Sequence, residues 1–432
     1  MSIRHNVLPT ITSCVFSGVN PRAGGFVGLL DQYTGASAAY SLRKLSSSAT
    51  NAVRIRRVSD DVEVDVGFSG NAVSTSSPIT NVSGDSGDTS ATTLGSFLEE
   101  ATPARNRTGT ARYDTFTTDG VTGFTAERNG LAACGFDIAG TSGTDVNVSF
   151  DVTLNSGTVF VKLRPDFETG SDVSNEVEIT SSGSKSFTLT SNADFKAMLF
   201  ITAAADFVVS NFSVNVPYNH TATVTTWYDQ SGNSRNAPQS TTGEQPIIAS
   251  SGVLETDANG KPTLLFDGTD DDFDLPTTVI TSLDSVSAFN VCSSLNTSGT
   301  KIALGISRTQ SGGKRHYLPV LTSTKFYHSY DTPFAGGGTP TDHQELADAD
   351  TNQHLFSSVA GSSTAKGFFD GTEKFSKTSV NTYASNRSGG IGSSDGGTNW
   401  QGDISEIIIY NSDQTSDFDA INTKIKSYYG IS

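Results

Sequence analysis

The sequence is poor in cysteine, in basic residues and in long apolar runs, and each shortage removes a class of protein. Its three cysteines, Cys14, Cys134 and Cys292, stand far apart, are odd in number and show no CxxC spacing. Neither a disulfide framework nor a zinc ribbon is indicated, and buried thiols are expected. Against 45 acidic residues there are only 28 lysines and arginines, a net charge of −17. Nucleic acid is not an expected partner, because phosphate tracking needs a positive footprint. The acidity fits a solvated surface or cation sites. No apolar run approaches the roughly 18 residues that cross a bilayer. The opening MSIRHNVLPTITSCVFSG lacks the uninterrupted apolar centre of a secretion signal. The expectation is a chain made in a cytoplasm, with no membrane span. The six histidines form no HxH or HExxH, no Ser/His/Asp grouping can be read from spacing, and GGIGSSDGG is followed by no phosphate-loop lysine.

What is abundant is glycine, at 42 of 432 residues, with much serine and threonine. Long Leu/Ala/Glu/Lys stretches are scarce, so short strands joined by many turns are favoured and the fold class is all-β. The length allows two or three domains, each with its own core. Residues 1–27 read as a lead-in or anchor. Val53, Ile55 and Arg57 then alternate with Arg54 and Arg56, and Val62, Val64 and Val66 with Glu63 and Asp65, a hairpin with one wet face. Residues 69–92 contain little that fills a core and read as a surface excursion, with strand patterning resuming only near 113.

From 113 to 216 a self-contained β pattern follows. Val146, Val148, Phe150, Val152 and Leu154 alternate strictly, Asn155-Ser156-Gly157 turns, and Val159, Val161 and Leu163 return. Strand-length apolar clusters recur at 287–293, 301–306, 317–321, 355–360, 366–370 and 403–410. At the end, Phe418, Ile421, Ile425 and Tyr428 share a helical face, with Ser416 as N-cap and Gly430 as stop, so one short C-terminal helix packs on the sheets.

The segments AAYSLRKL, AVRIRRVSDDVEVDVGF, VTTWYDQSGN, QPIIASSGV, KPTLLFDG, GGIGSSDGGTNWQGDISEIIIYN and the final SYYGI resemble the catalytic domain of fungal-type α-L-arabinofuranosidase B. They are equally similar to phage and marine-virus structural proteins carrying the same module. The resemblance implies a concanavalin/laminin-G-like jelly roll, split over residues 28–98 and 219–432. Residues 99–218 are then an inserted β-sandwich similar to a carbohydrate-binding module, tolerated because an independently folding insert needs only two neighbouring loop ends.

Catalysis in that family needs two carboxyl groups about 5–5.5 Å apart. By resemblance Asp395, in Gly392-Ser-Ser-Asp395-Gly-Gly, takes the general-acid position, or is simply a turn residue. The stretch comparable to the nucleophile's is KIALGISRTQSGG, where Arg308 or Thr309 stands in place of Glu; the family's vicinal cysteines are missing too. The expectation is an inactive relative. For hydrolysis Asp370 or Glu406 would have to approach Asp395. Five carboxylates fall among the eight residues Asp267-Gly-Thr-Asp270-Asp271-Asp272-Phe-Asp274. Asp267, Asp270 and Asp272 are candidate Ca²⁺ ligands or members of a solvated turn, and no other cofactor is expected.

Candidate sugar-contacting residues are Trp400, Asp395, Trp227, Tyr228 and Asp229. Trp227 and Tyr228 offer a stacking platform or a core anchor followed by an Asx-type turn at Asp229, and Trp400, between Gly-rich stretches, is the aromatic expected to be exposed. The functional expectation is a virion-associated structural protein, a capsid decoration, head fibre or tail-associated component. Its partners would be other virion proteins, further copies of itself and host-surface glycans. Arabinofuranosidase-type hydrolysis and a non-viral adhesin are the alternatives.

Overall fold

The computed structural model describes residues 26–432 apart from 84–88, 90, 102–103, 108–111, 119–121, 129, 217, 282–284, 307–315, 323, 331–342, 361–363, 379–388 and 394–397. Residues 1–25 of the lead-in, with Cys14, and Arg308, Thr309 and Asp395 therefore lie outside the described residues. Within them the chain is all-β, with antiparallel sheets throughout and a helix at its C-terminus.

Two sheets form the outer sandwich. A fourteen-stranded sheet runs from the hairpin Thr364–Phe369/Thr372–Thr378 through Val286–Cys292 and Gln401–Tyr410 to Asn51–Arg57, Glu63–Gly67 and Ile79–Ser83. A seven-stranded sheet built around His316–Thr322 and Lys325–Tyr330 faces it. Their apposed faces share one core, in which Tyr40, Ile55, Val64, Trp227 and Ile407 of the first meet Phe273, Leu304, Leu318 and Ile391 of the second. The helix Phe418–Tyr429 covers the large sheet's other face, setting Phe418, Ile421 and Ile425 against Phe289, Leu355 and Ile408. It stops where Gly430 turns left-handed at φ 69°, a conformation glycine adopts without a Cβ clash.

Residues 105–214 make two further five-stranded sheets. A phenylalanine-rich core of their own includes Phe136 stacked on Phe212, with ring centroids 3.9 Å apart. The chain enters and leaves this pair at a neck where the His220 amide donates to the Leu98 carbonyl at 2.9 Å.

Four sequence expectations need correction. Strand structure resumes at Ile79–Ser83, not near 113, and the short helix Leu94–Glu99 sends Leu94, Phe97 and Leu98 into the outer core. Ile79 alone marks that edge strand, since its other residues face outward and carry no alternation. The hairpin pairs as its alternation requires, Ile55 opposite Val64 and Val53 opposite Val66, but its polar face is not wet. On it Arg56 and Asp65 are buried, and Arg57, on the face of Val53 and Ile55, is buried too. Arg57 lies 4.3 Å from the Phe97 ring and pairs with Asp60 and Glu100, so its charge is compensated there. The C-terminal helix begins one residue later than a Ser416 cap requires, with Asp417 in the cap position. Tyr429, not Tyr428, is the tyrosine fully buried at its end. The N-terminal part adds a four-residue helix, Leu29–Gln32. Cys134 and Cys292 are buried free thiols, as their spacing predicts.

Candidate functional site

The stretch WYDQSGN builds a clasp. Trp227 ends the strand Ala222–Trp227 and is fully buried, its ring 6.0 Å from those of both Tyr40 and Phe273. A ring enclosed on both sides presents no face to a sugar, so Trp227 is a core anchor. Asp229 then organises a turn. Its Oδ1 accepts from the Ala39 and Ser231 amides at 2.9 and 2.8 Å, and its Oδ2 from the Arg235 amide at 3.0 Å and the Ser231 hydroxyl at 2.8 Å. Four donors saturate this carboxylate, which holds chain geometry in place.

Gln230 completes the clasp from inside the fold. Its Oε1 accepts from the Leu45 amide at 2.7 Å, and its Nε2 donates to the Ser41 and Arg43 carbonyls at 2.8 and 3.0 Å. The Gln230 amide donates to the Ala39 carbonyl at 2.8 Å, and Asn233 Nδ2 to the Ala36 carbonyl at 2.9 Å. The strand Ala36–Ser41 pairs with Gln401–Tyr410 on one side. On the other, these side chains satisfy backbone groups that a neighbouring strand would otherwise take.

Above the clasp lies an open polar depression of about 210 Å³, where Tyr228 stands beside Ser48, Thr50, Asn51, Ser234 and Asn236. Tyr228 is half-buried, its hydroxyl donating to Asp65 Oδ1 at 2.6 Å, which fixes the ring at the rim. The wall residues 48–51 come from a run of small polar residues whose only sequence signal is composition. Sequence reasoning missed them.

Trp400 corrects a second expectation: it is fully buried, and its Nε1 donates to the Ser293 carbonyl at 3.1 Å. Flanking glycines and polar residues made its loop read as exposed, but the neighbouring strand Gln401–Tyr410 carries the ring into the core.

The acidic turn also differs by one residue from the sequence expectation. Carboxylate oxygens of Asp267, Asp270 and Asp271 lie within 4.8 Å of one another. Asp272 points elsewhere, accepting from Gln239 Nε2 at 2.6 Å and Ser393 Oγ at 2.7 Å. Asp271 is buried, and its Oδ2 accepts from the Asp267 amide at 2.8 Å. Burial, reinforced by the charges of Asp267, Asp270 and Asp272, pushes its carboxyl up to about 7. Two carbonyls of the turn are already engaged, Gly268 by Lys301 at 2.9 Å and Thr269 by Asn399 at 2.5 Å. Calcium takes about six to eight oxygen ligands, of which the carboxylates Asp267, Asp270 and Asp271 would supply the protein's share.

Neither carboxylate named as a partner for Asp395 stands free. Glu406 is buried against Arg43, and Asp370 accepts from the Leu355 amide at 2.9 Å while its other oxygen lies 2.7 Å from His354 Nδ1.

No protein-family model and no curated protein matches the sequence. Among solved structures, the chain is similar to domain 4 of AbnA, a GH43 extracellular arabinanase from Geobacillus stearothermophilus. That match has 14% identity and a TM-score of 0.31, covering 39% of this chain and 80% of that one. A GH54 α-L-arabinofuranosidase aligns at 11% identity and a TM-score of 0.35, over 66% of this chain and 62% of that one. Trypanosoma rangeli sialidase aligns at 10% identity and a TM-score of 0.34, over 88% and 62%. These neighbours are β-rich glycosidase and carbohydrate-binding folds, and at such scores they lend no residue roles to this chain. No helix among the described residues is long and apolar enough to cross a membrane.

Proposed function

We propose that this chain is a non-catalytic, glycan-contacting β-sandwich protein that serves as a structural component of a virion. The observation that carries the glycan reading is the polar depression beside Tyr228. An aromatic edge there meets hydroxyl and carboxamide side chains from two segments, the combination that matches the C–H and O–H groups of a sugar ring. At about 210 Å³ it is smaller than the ~300 Å³ at which drug-sized pockets begin, so it would hold one terminal ring. The virion setting, with other virion proteins and further copies of the chain as partners, is supported by the sequence resemblance and by the Gly/Ser/Thr-rich β composition.

A glycan array probed with the full chain tests the first part. Reproducible binding to a set of related termini is expected, and a blank array overturns it. Immunogold labelling of purified particles tests the second. Regular label on heads or tails is expected, and antigen found only in the soluble lysate overturns it.

Hydrolysis is a second reading with one observation in its favour. Asp271, with its carboxyl near 7, lies within 4.8 Å of Asp267 and Asp270, the pairing of a protonated and an ionised acid that glycosidases use. The burial of Asp271 weighs against it, since a general acid must reach the glycosidic oxygen. Release of arabinose from an aryl arabinofuranoside, lost in Asp271→Asn, would favour the enzyme.

A further inference from the structure

A second groove, of about 220 Å³, lies between the helix Leu29–Gln32 and the C-terminal helix. Its charge is opposite to that of the protein. Arg43, Lys44 and Lys424 line it, and no aspartate or glutamate does. In a chain with 45 acidic and 28 basic residues this concentration of cations runs against the overall composition.

Charge bookkeeping leaves two of the three uncompensated. Arg43 spends its charge on Glu406, bonding it at 2.5 and 2.6 Å. Lys44 and Lys424 have no ion pair among the described residues; Lys424 is exposed and Lys44 half-buried. Asp31, beside the lining residue Gln32, accepts from the Gly28 amide at 2.7 Å and the Ser47 amide at 2.9 Å. Aromatic rings flank two of the three cations. The Arg43 guanidinium lies 4.5 Å from the Tyr428 centroid, and the Lys44 ammonium 5.6 Å from that of Phe26 and 5.9 Å from that of Phe68. Gln32 and Asn71, both exposed, add carboxamides to the rim.

We infer that this groove binds an acidic saccharide through its carboxylate, with Lys44 and Lys424 as the cationic contacts and Gln32 and Asn71 bonding ring hydroxyls. Two ammonium groups on flexible stems suit a carboxylate whose sugar ring varies in orientation. A polyanion such as nucleic acid fits poorly, because the remaining surface of a −17 chain repels a long strand. The choice of a saccharide rests on the glycan-contacting reading above; the anionic selectivity rests on this groove alone.

Isothermal titration of the full chain with tetragalacturonate tests the inference. A neutral galactose tetrasaccharide and inorganic sulfate serve as comparison ligands, and Lys44→Gln, Lys424→Gln, the double variant and Thr50→Trp as comparison proteins. Lys424→Glu, on an exposed helix position, guards against a folding defect in the Lys44 variants, and circular dichroism checks each. The acidic tetramer is expected to bind while the neutral one does not. Each Lys→Gln change should weaken it about threefold and the pair about tenfold, the effect of partly solvated ion pairs. Added salt should weaken it further, and Thr50→Trp, which fills the depression, should leave it unchanged. Equal binding of the neutral tetramer that persists in Thr50→Trp, or unchanged binding by the double variant and by Lys424→Glu, overturns the inference. So does sulfate competing as well as the tetramer, which would mark an anion site without sugar recognition. Loss in Thr50→Trp alone would overturn the groove and leave the depression standing. Failure of the native chain to bind any saccharide would overturn both.

Discussion

Glu406 and Arg43, 363 positions apart in sequence, meet through two parallel hydrogen bonds in the interior, where their side chains are 1% and 9% exposed. The Ser41 and Tyr429 hydroxyls also donate to the carboxylate, at 3.0 and 3.2 Å. This cluster ties the strand Ala36–Ser41, the central strand Gln401–Tyr410 and the C-terminal helix together. Removing one member leaves the other's charge buried without compensation. Glu406→Ala should lose about 3–5 kcal/mol, whereas replacing both residues by apolar ones of similar volume should cost much less. Urea unfolding followed by tryptophan fluorescence reads this directly, because Trp227 and Trp400 are the chain's two tryptophans and both lie in the outer core.

The clasp makes a separate prediction. Gln230→Ala strips partners from the Leu45 amide and from the Ser41 and Arg43 carbonyls. Leaving a buried polar group unsatisfied costs roughly 1–3 kcal/mol. Amide hydrogen exchange should show the Leu45 proton losing protection, a local change that a general loss of stability would not single out.

Much of this architecture was legible in the sequence, and the failures share a cause. Strict alternation fixed the pairing of Val53 with Val66 and of Ile55 with Val64 because one face had to be buried. Helical spacing placed Phe418, Ile421 and Ile425 on the sheet for the same reason. The edge strand Ile79–Ser83 has no such alternation to betray it. Gln230 finds its side-chain partners 185 or more positions away and Glu406 meets Arg43 across 363, and no local pattern encodes a contact of that kind. Trp400 shows that polar and glycine-rich neighbours report a turn without reporting which way its aromatic ring points. At the acidic turn, chain reversal selected Asp271 over Asp272, a one-residue difference that composition cannot resolve.

His354 sits between Asp370 and Asp350, at 2.7 and 2.9 Å. Burial alone would lower its imidazole, but hydrogen bonding and charge attraction, from Asp370 and then Asp350, outweigh it and hold the group above its usual value. A folded-state pKa raised in this way contributes stability that is fully present below about 6.5, the unfolded value, and lost as pH rises through the folded value. His354→Gln should therefore destabilise clearly at pH 5.5 and little at pH 9, as thermal unfolding at the two pH values will show.

Asp271 titrates with the same sign for a different reason. Its carboxyl is raised from 3.8 to about 7, so the unfolded chain ionises first and stability falls as pH climbs between those values. Asp271→Asn keeps an oxygen to accept from the Asp267 amide and removes the ionisation. The variant should match the native chain near pH 4 and exceed it at pH 8, and a variant less stable at pH 8 would contradict the buried, neutral acid.

The central claim is that the depression beside Tyr228 contacts glycans, and blocking it tests this most directly. Thr50 is exposed at the wall of the depression, so Thr50→Trp fills the space without disturbing the core. The measurement is binding of native and Thr50→Trp chains to the neutral glycans that an array identifies. The account predicts at least about a tenfold loss in the variant, the scale of a displaced ring and its hydrogen bonds, with thermal stability unchanged. Equal binding by the two chains, or no neutral glycan bound by the native one, would contradict it.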